Sequence, residues 1–304
     1  VVVTGSGGQN WVGVALKWVD LRPTIDPLTG EVSTDPRSSG CSPADQAALE
    51  WALRLAEAWG ARVIAATAGP PGASSVLELA LAAGAGRAVR VDLARDCPSA
   101  AVARSLAPAL SACSFVLCGD WSLDRGSGSV PAYLAAELEA AQGLGLVGLR
   151  PEGACGSSGP LGPSPDGSRA VRAERRLDGG RREQLRLTPP AVLSVEGGTA
   201  RLRRAPLPGV LAARQAPVEV LPGRASPVPP LAPIRTGPFR PRPRALAGPD
   251  PELPPRQRMA ALVEGQGQRR RQGDPVEASP EEGARLILDA LRQWGYVQGR
   301  EEGH

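Results

Sequence analysis

Residues 115–138 read FVLCGDWSLDRGSGSVPAYLAAEL, and the rest of the chain is organised around them. Phe115 to Cys118 is a short apolar run of the kind that forms a buried strand. Gly119 ends it. Asp120 to Ser129 is polar, with glycines at Gly126 and Gly128 and hydroxyls at Ser122, Ser127 and Ser129. Pro131 sits where a first helical residue belongs, and Ala132 to Leu138 continues with helix formers. The order is strand, small-residue loop, helix N-terminus. The first amides of a helix lack an intrahelical partner and carry partial positive charge. Small residues let the backbone close around an anion, and a nucleotide phosphate is the usual anion there. An ordinary βα turn with a Ser cap fits these residues equally well, because the loop matches neither the Walker pattern nor GxGxxG.

Upstream, the same alternation repeats. Val12 to Val19 reads as a first strand. Asp20 to Gly40 is a turn-rich excursion carrying a hairpin around Gly30. Ser42 is an N-cap with Pro43 at the first helical position, and Leu49, Leu53 and Ala56 recur at helical spacing up to Gly60. Arg62 to Thr67 is a strand, and Ser74 to Ala83 is a helix stopped by Gly84. Ala88 to Val91 is a strand and Ser99 to Ala112 a helix. Regular alternation of this kind predicts an α/β fold, a mostly parallel sheet with helices on both faces. Ligands of such sheets lie beyond the carboxyl ends of the strands. Three loops converge there: those after Val14 to Val19, after Ile64 to Thr67 and after Phe115 to Cys118, with the Ser42 helix start beside them.

Downstream, Gly143 to Leu149 is short and apolar, and Pro151 to Gly167 is a Gly/Ser/Pro-rich loop. Ala170 to Arg176, a turn at Asp178-Gly179-Gly180, and Arg182 to Leu187 make a β-hairpin. Ala191 to Val195 is a further strand and Pro206 to Arg214 a short helix. Proline is so frequent from Pro217 to Pro255 that an extended strap is expected. Ser279-Pro280-Glu281-Glu282 caps a last helix, Glu281 to Trp294, with Leu286, Ile287, Leu291 and Trp294 on its apolar side. The expected domains are 12–215, a nucleotide-binding α/β domain; 216–255, the strap; and 256–297, an arm with a docking helix. Residues 1–11 and 298–304 are expected to be disordered.

The 304 residues carry a formal net charge of +4. Only 3% are aromatic, so the core packs small aliphatic side chains. Lys17 is the only lysine and His304 the only histidine. With Cys41, Cys97, Cys113, Cys118 and Cys155 scattered, neither a zinc site nor a His-based triad is expected. Unpaired cysteines and the absence of a signal-peptide pattern or a long apolar run point to a cytoplasmic protein without a membrane span. The arginines of 201–204 and 235–244 read as solvated strap rather than as a nucleic-acid contact. Asp45 either contacts a ligand or complements its helix dipole. Trp121 either stacks on a base or is a half-exposed structural Trp. Cys113 and Cys118 read as small core residues.

Taken in order, these pieces resemble the electron transfer flavoprotein β subunit, from about Val12 to about Val297. The motifs that carry the resemblance are Ser42-Pro43-Ala44-Asp45 with the helix to Leu55, Gly84-Ala85-Gly86-Arg87-Ala88, the block Gly119 to Leu138, the Asp178-Gly179-Gly180 hairpin and Leu207-Pro208. The wording of DPLTGEVSTDPRSSGCSPAD and CGDWSLDRGSGSVPAYLAAEL looks most like the actinobacterial branch associated with mycofactocin.

The resemblance implies a heterodimer with an α subunit that holds the redox FAD. The β subunit binds AMP, or a second FAD in electron-bifurcating members, and passes electrons from a flavin- or mycofactocin-linked dehydrogenase to a further acceptor. It implies an electron carrier with no catalysis of its own. Carried over residue by residue, the nucleotide touches Ala15, then Ser42, Pro43, Ala44 and Asp45, then Ala68. Gly119, Leu123, Asp124, Gly128, Ser129 and Val130 complete the set. The chain departs from the family's Asn-Pro-Phe at Ser42-Pro43-Ala44 and from its Asn-Gln-Thr-Gly at Gly128-Ser129-Val130-Pro131. The acidic run after Asp124 becomes Arg125-Gly126. The family's partner-recognition loop carries an exposed leucine where this chain has Thr199; Leu202 takes that role only by a shift. Beside the electron carrier stand two other classes, a non-redox adenine-nucleotide-binding regulatory protein and a structural partner with a degraded site.

Overall fold

A computed structural model describes residues 10–152, 169–224, 249–250, 252–263 and 278–294. The expectations for 1–9, for the loop beyond Glu152, for the strap over 225–248 and for 298–304 fall outside these residues. The chain divides into two units, 1–239 and 240–304, each described by itself.

In the first unit the elements follow in chain order. They begin with β1 (Trp11–Leu16), β2 (Trp18–Asp20), β3 (Thr24–Ile25), β4 (Val32–Ser33), β5 (Ser39–Cys41) and α1 (Pro43–Trp59). Next come β6 (Arg62–Gly69), α2 (Ser74–Ala83), β7 (Arg87–Asp92), α3 (Ser99–Leu110), β8 (Cys113–Gly119) and α4 (Val130–Glu137). The unit ends with β9 (Ala141–Glu152), β10 (Ala170–Arg176), β11 (Arg182–Leu187), β12 (Ala191–Val195), α5 (Leu207–Gln215) and β13 (Glu219–Pro222).

One nine-stranded sheet runs in the order β11-β10-β9-β12-β8-β1-β6-β7-β13. From β9 to β13 every neighbouring pair is parallel, and the β10–β11 hairpin adds antiparallel to β9. The mostly parallel α/β sheet expected from the sequence is therefore the fold. Its helices cover both faces, and strand alternation shows why. Val12, Val14, Phe115 and Leu117 face a core shared with α1 and α2. Ala15, Val116 and Cys118 face the other way, onto α3 and α4. The Trp59 ring stacks on Phe115 at 5.1 Å between centroids. Each fully buried Leu or Phe contributes about 1.5–3 kcal/mol.

Several boundaries differ from the sequence reading; Pro151 and Glu152, for instance, belong to β9 rather than to the loop after it. Val12 to Val19 is not one strand: β1 ends at Leu16, and after Lys17 the chain enters β2, which pairs antiparallel with β5. Trp11, expected in a disordered terminus, already pairs with Arg62 and Cys113. The strap does not begin at residue 216, because Glu219–Pro222 lies parallel to β7 as an edge strand. Leu221 packs on the core beneath it. An edge position tolerates the closing proline, which has no amide to donate.

The second unit contains α6 (Pro255–Val263) and α7 (Pro280–Gln293). A capping box starts α7: Ser279 Oγ accepts from the Glu282 amide while the Glu282 carboxylate accepts from the Ser279 amide. Leu286, Ile287 and Trp294 are exposed, and no residue of α7 is buried. Among the described residues no helix is long and apolar enough to cross a membrane.

Candidate functional site

The sheet reverses its winding between β1 and β8. From β1 the chain adds β6 and β7 on one side, whereas β8 lies on the other. Such a reversal leaves a crevice at the carboxyl ends of the strands, the usual ligand position of an open α/β sheet. A cleft lies there with about 910 Å³ of empty space, counting its open mouth.

One wall begins with α1. Ser42 caps the helix by accepting the Asp45 amide at 3.1 Å. The Asp45 side chain turns inward rather than toward solvent. Its carboxylate accepts from the Lys17 amide at 3.2 Å, the Gly119 amide at 3.2 Å and Ser42 Oγ at 3.1 Å. The ends of β1 and β8 are thus tied to the start of α1 by one buried group. Gly119 permits this approach: a Cβ there would lie 2.7 Å from Asp45 Oδ1. Burial drives the Asp45 carboxyl up to about 6, against the pull of these hydrogen bonds and the Lys17 charge.

The other wall is the loop between β8 and α4. Lys17 Nζ reaches across to Asp124 at 2.6 Å and Ser122 Oγ at 3.2 Å. Partial burial raises the Asp124 carboxyl, but the Lys17 and Ser122 bonds, the Lys17 charge and the Arg125 amide outweigh it and hold it at about 2. The Arg125 guanidinium donates to the carbonyls of Cys97 and Asp96, joining this loop to the one after β7. Gly128 has φ of 57°, and a Cβ there would run into the carbonyl oxygen of Asp120. Its lack of a side chain is therefore required by the loop's own backbone.

The two helix starts facing this cleft differ electrostatically. That of α1 already holds a carboxylate. That of α4 has no side-chain cap and no acidic residue in its first turn. Ser129 and Ser127 share a 3.0 Å hydrogen bond between their hydroxyls instead. The amides of Val130 and Ala132 donate to nothing among the described residues. An incoming anion is repelled at the first helix and attracted at the second.

Of the residues singled out from sequence, Ala15, Asp45, Ala68 and Gly119 line the cleft, as do Gly128, Ser129 and Val130. Ser42 and Ala44 are buried behind it, and Pro43 is exposed beside Gly197. Leu123 and Asp124 stand off the lining, and Asp124 acts on it through Lys17. Trp121 lines the cleft and is 49% exposed. Sequence reading missed Lys17, Trp18, Arg95, Cys97 and Arg125 in the lining. Two signals could have found them: Lys17 is the only lysine and follows β1 directly, and β7 ends at the same sheet edge as β1, β6 and β8.

The Cys113 and Cys118 thiols are buried, and burial pushes Cys113 up to about 12 and Cys118 up likewise. Among the described residues no group of three or more His, Cys, Asp or Glu side chains could hold a metal. The segment after β12 is strapped to α1. Trp51 Nε1 donates to Thr199 Oγ1 at 3.2 Å, and Arg203 donates to buried Glu50 from its amide and its Nε, each at 3.0 Å. Leu202 packs on the core. Neither Thr199 nor Leu202 projects as an exposed anchor; the exposed leucines nearby in sequence are Leu207 and Leu211.

Comparison with known proteins identifies this architecture. The family model described as "Electron transfer flavoprotein domain" matches residues 32–226. The chain is also 27% identical over 198 residues to the electron transfer flavoprotein subunit beta of Bacillus subtilis (strain 168), across 64% of this chain and 71% of that protein.

Proposed function

The chain belongs to the electron transfer flavoprotein family, and from that premise we propose that it is the β subunit of a heterodimer whose α subunit holds the redox FAD. In this reading the cleft binds AMP, or a second FAD, and the protein carries electrons without catalysis of its own. The observation that carries it is the uncapped start of α4 at the winding reversal, with its first amides unspent. The backbone there suits a phosphate even though the family's Asn-Gln-Thr side chains are replaced by Gly128, Ser129 and Val130.

The residues present fit an adenine nucleotide. The amides of Val130 and Ala132 would hold a phosphate, and the half-exposed indole of Trp121 would offer an apolar face for a base. Asp45 keeps the two strand ends in register under the ligand. The α-subunit flavin supplies the redox chemistry when bound; this chain positions its nucleotide and completes the surroundings of that flavin. The upstream donor is a flavin- or mycofactocin-linked dehydrogenase, the branch is the mycofactocin-associated one, and the setting is cytoplasmic.

Co-expression with a neighbouring α-like gene tests this. The expected result is co-purification, flavin absorbance in the complex and an adenine nucleotide released on denaturation. A complex that forms but contains neither flavin nor nucleotide would remove the electron-carrier reading.

A further inference from the structure

The residues lining the cleft include three cations, Lys17, Arg95 and Arg125, and one carboxyl, Asp45. Asp45 is 5% exposed. Its oxygens accept from the Lys17 amide, the Gly119 amide and the Ser42 hydroxyl, all uncharged donors. The Lys17 ammonium is spent on Asp124 instead. An anion entering the cleft therefore shares it with a buried carboxyl that these neutral donors, and no bonded counter-ion, hold in place.

A proton on Asp45 has a place to sit. Ser42 Oγ lies 3.1 Å from Oδ2, and a hydroxyl turns from donor to acceptor without moving its oxygen. With Oδ2 protonated and donating to Ser42, Oδ1 still accepts the Gly119 amide. The tie between β8 and α1 thus survives neutralisation. The groups around Asp45 leave it as the one that changes charge. The Cys41 thiol on β5 and the Cys118 thiol on β8 lie in its field, and burial first, then the Asp45 charge, keeps both protonated. From the link between β1 and β2 come the Lys17 amide and, at longer range, the Lys17 charge. Beyond β12, Glu196 is bonded to Arg176, and Asp120, on which Glu196 acts, stands off the lining.

Burial drives the Asp45 carboxyl up to about 6, close enough to neutrality for a neighbouring charge to decide its state. Two unit charges about 12 Å apart, at an effective dielectric constant of about 20, shift each other's titration by about one pH unit. An anion seated in the cleft that Asp45 lines acts on it over that range.

We propose that the cleft takes up its anionic ligand together with one proton, which settles on Asp45. This rests on the adenine-nucleotide reading of the cleft and deepens it. The phosphate supplies the negative charge, solvent supplies the proton, and Asp45 is the residue that makes retention of the ligand depend on pH. Binding is tightest where Asp45 is already protonated. It weakens as pH rises from the midpoint of the empty chain to the higher midpoint of the loaded one, by about tenfold in all for a rise of one unit.

Titration of the Asp45 carboxyl by carbon NMR, in the full chain stripped of nucleotide and again saturated with AMP or FAD, tests the proposal. The expected result is a midpoint about one pH unit higher in the loaded chain. A terminal phosphate has its own second titration near pH 6, so the affinity readout uses FAD, whose phosphates are both in the pyrophosphate link. FAD should bind about tenfold more weakly at pH 8 than at pH 5, and equally at both in Asp45→Asn. The NMR midpoint is read on the native chain and stands however that variant folds. A midpoint that stays put on loading overturns the proposal and leaves the nucleotide reading standing. A lowered midpoint overturns it too, because the ligand would then be donating a hydrogen bond to the carboxylate. Failure of both AMP and FAD to bind overturns both readings.

Discussion

The Gly119 amide, at the last residue of β8, donates to Asp45 Oδ1 at 3.2 Å. Through this bond a strand end and a helix start share one buried carboxylate, which also accepts the Lys17 amide beyond β1. That carboxylate stands in the first turn of α1, whereas the first turn of α4 carries none.

Asp45 makes stability depend on pH in an unusual direction for a carboxylate. Its folded pKa of about 6 stands above the ordinary 3.8. Its contribution is therefore fully present below about pH 4 and is lost as pH rises through 6. Asp45→Asn removes the titration. Urea unfolding of both proteins from pH 4 to 7 should show wild type losing about 3 kcal/mol relative to the variant. A stability difference that stays flat across this range would show that the carboxylate is not held in a desolvated site.

Asp124 has the opposite sign. Its pKa lies at about 2, so its contribution is present above about pH 4 and is lost as pH falls toward 2. Lys17 and Asp124 are each about one-third exposed, so the pair is screened and is worth under about 1 kcal/mol. The clearer readout is site-specific: in Lys17→Met, the Asp124 carboxyl followed by NMR should titrate higher, toward the ordinary range. An unmoved Asp124 would mean that Lys17 does not hold the loop.

Gly128 separates backbone strain from ligand contact. Alanine there meets the Asp120 carbonyl oxygen as well as an unfavourable positive φ. Gly126 has φ of 61°, and an added Cβ stays 3.9 Å from the Ser122 carbonyl oxygen. Gly126→Ala should therefore cost about 1 kcal/mol through strain alone and retain nucleotide. Gly128→Ala should cost more and weaken nucleotide binding, by displacing the start of α4. Equal effects of the two variants on unfolding and binding would contradict this account of the loop.

Arg203 anchors the segment after β12. It contacts Glu50, which is only 4% exposed, and Glu57. Arg203→Ala leaves Glu50 with Arg54 as its one remaining cation. The expected cost is about 2–3 kcal/mol, below that of a wholly unpaired buried charge, and it is measurable as a lowered urea midpoint. Glu50→Gln in the same background should recover part of the loss, and no recovery would rule out the electrostatic explanation.

What the sequence made legible follows the local signals. Ser42 with Pro43, Gly84, and Asp178-Gly179-Gly180 mark ends that the structure reproduces to the residue, because caps and turns are chosen within a few positions. Strand β13 was hidden because Pro217 precedes it, Pro222 closes it, and its reason for existing is the open edge of β7, more than a hundred residues earlier. The run from Val12 to Val19 looks continuous in hydrophobicity, yet Leu16 and Trp18 join different sheets. At the site, the glycine loop was legible. The inward turn of Asp45 and the arrival of Arg95 and Cys97 were not, since both depend on which strand ends become neighbours.

The last prediction concerns α7. Its capping box makes it a helix in its own right, and Leu286, Ile287 and Trp294 leave an apolar stripe exposed. An exposed stripe of this kind marks an interaction surface, and under the proposed function its occupant is the α subunit. Burying two or three such side chains contributes on the order of 5 kcal/mol before ordering costs. Truncation after residue 253 removes α6 and α7 while keeping every strand of the nine-stranded sheet. The truncated chain should fold with nearly unchanged far-ultraviolet dichroism per folded residue of the sheet unit, yet bind the α subunit at least tenfold more weakly. Replacing Leu286 and Ile287 by serine in the full chain should reproduce the loss, since the helix caps remain. If the truncated chain unfolds, α6 and α7 belong to the stability of the first unit. If it folds and binds the α subunit with undiminished affinity, α7 is not the clasp.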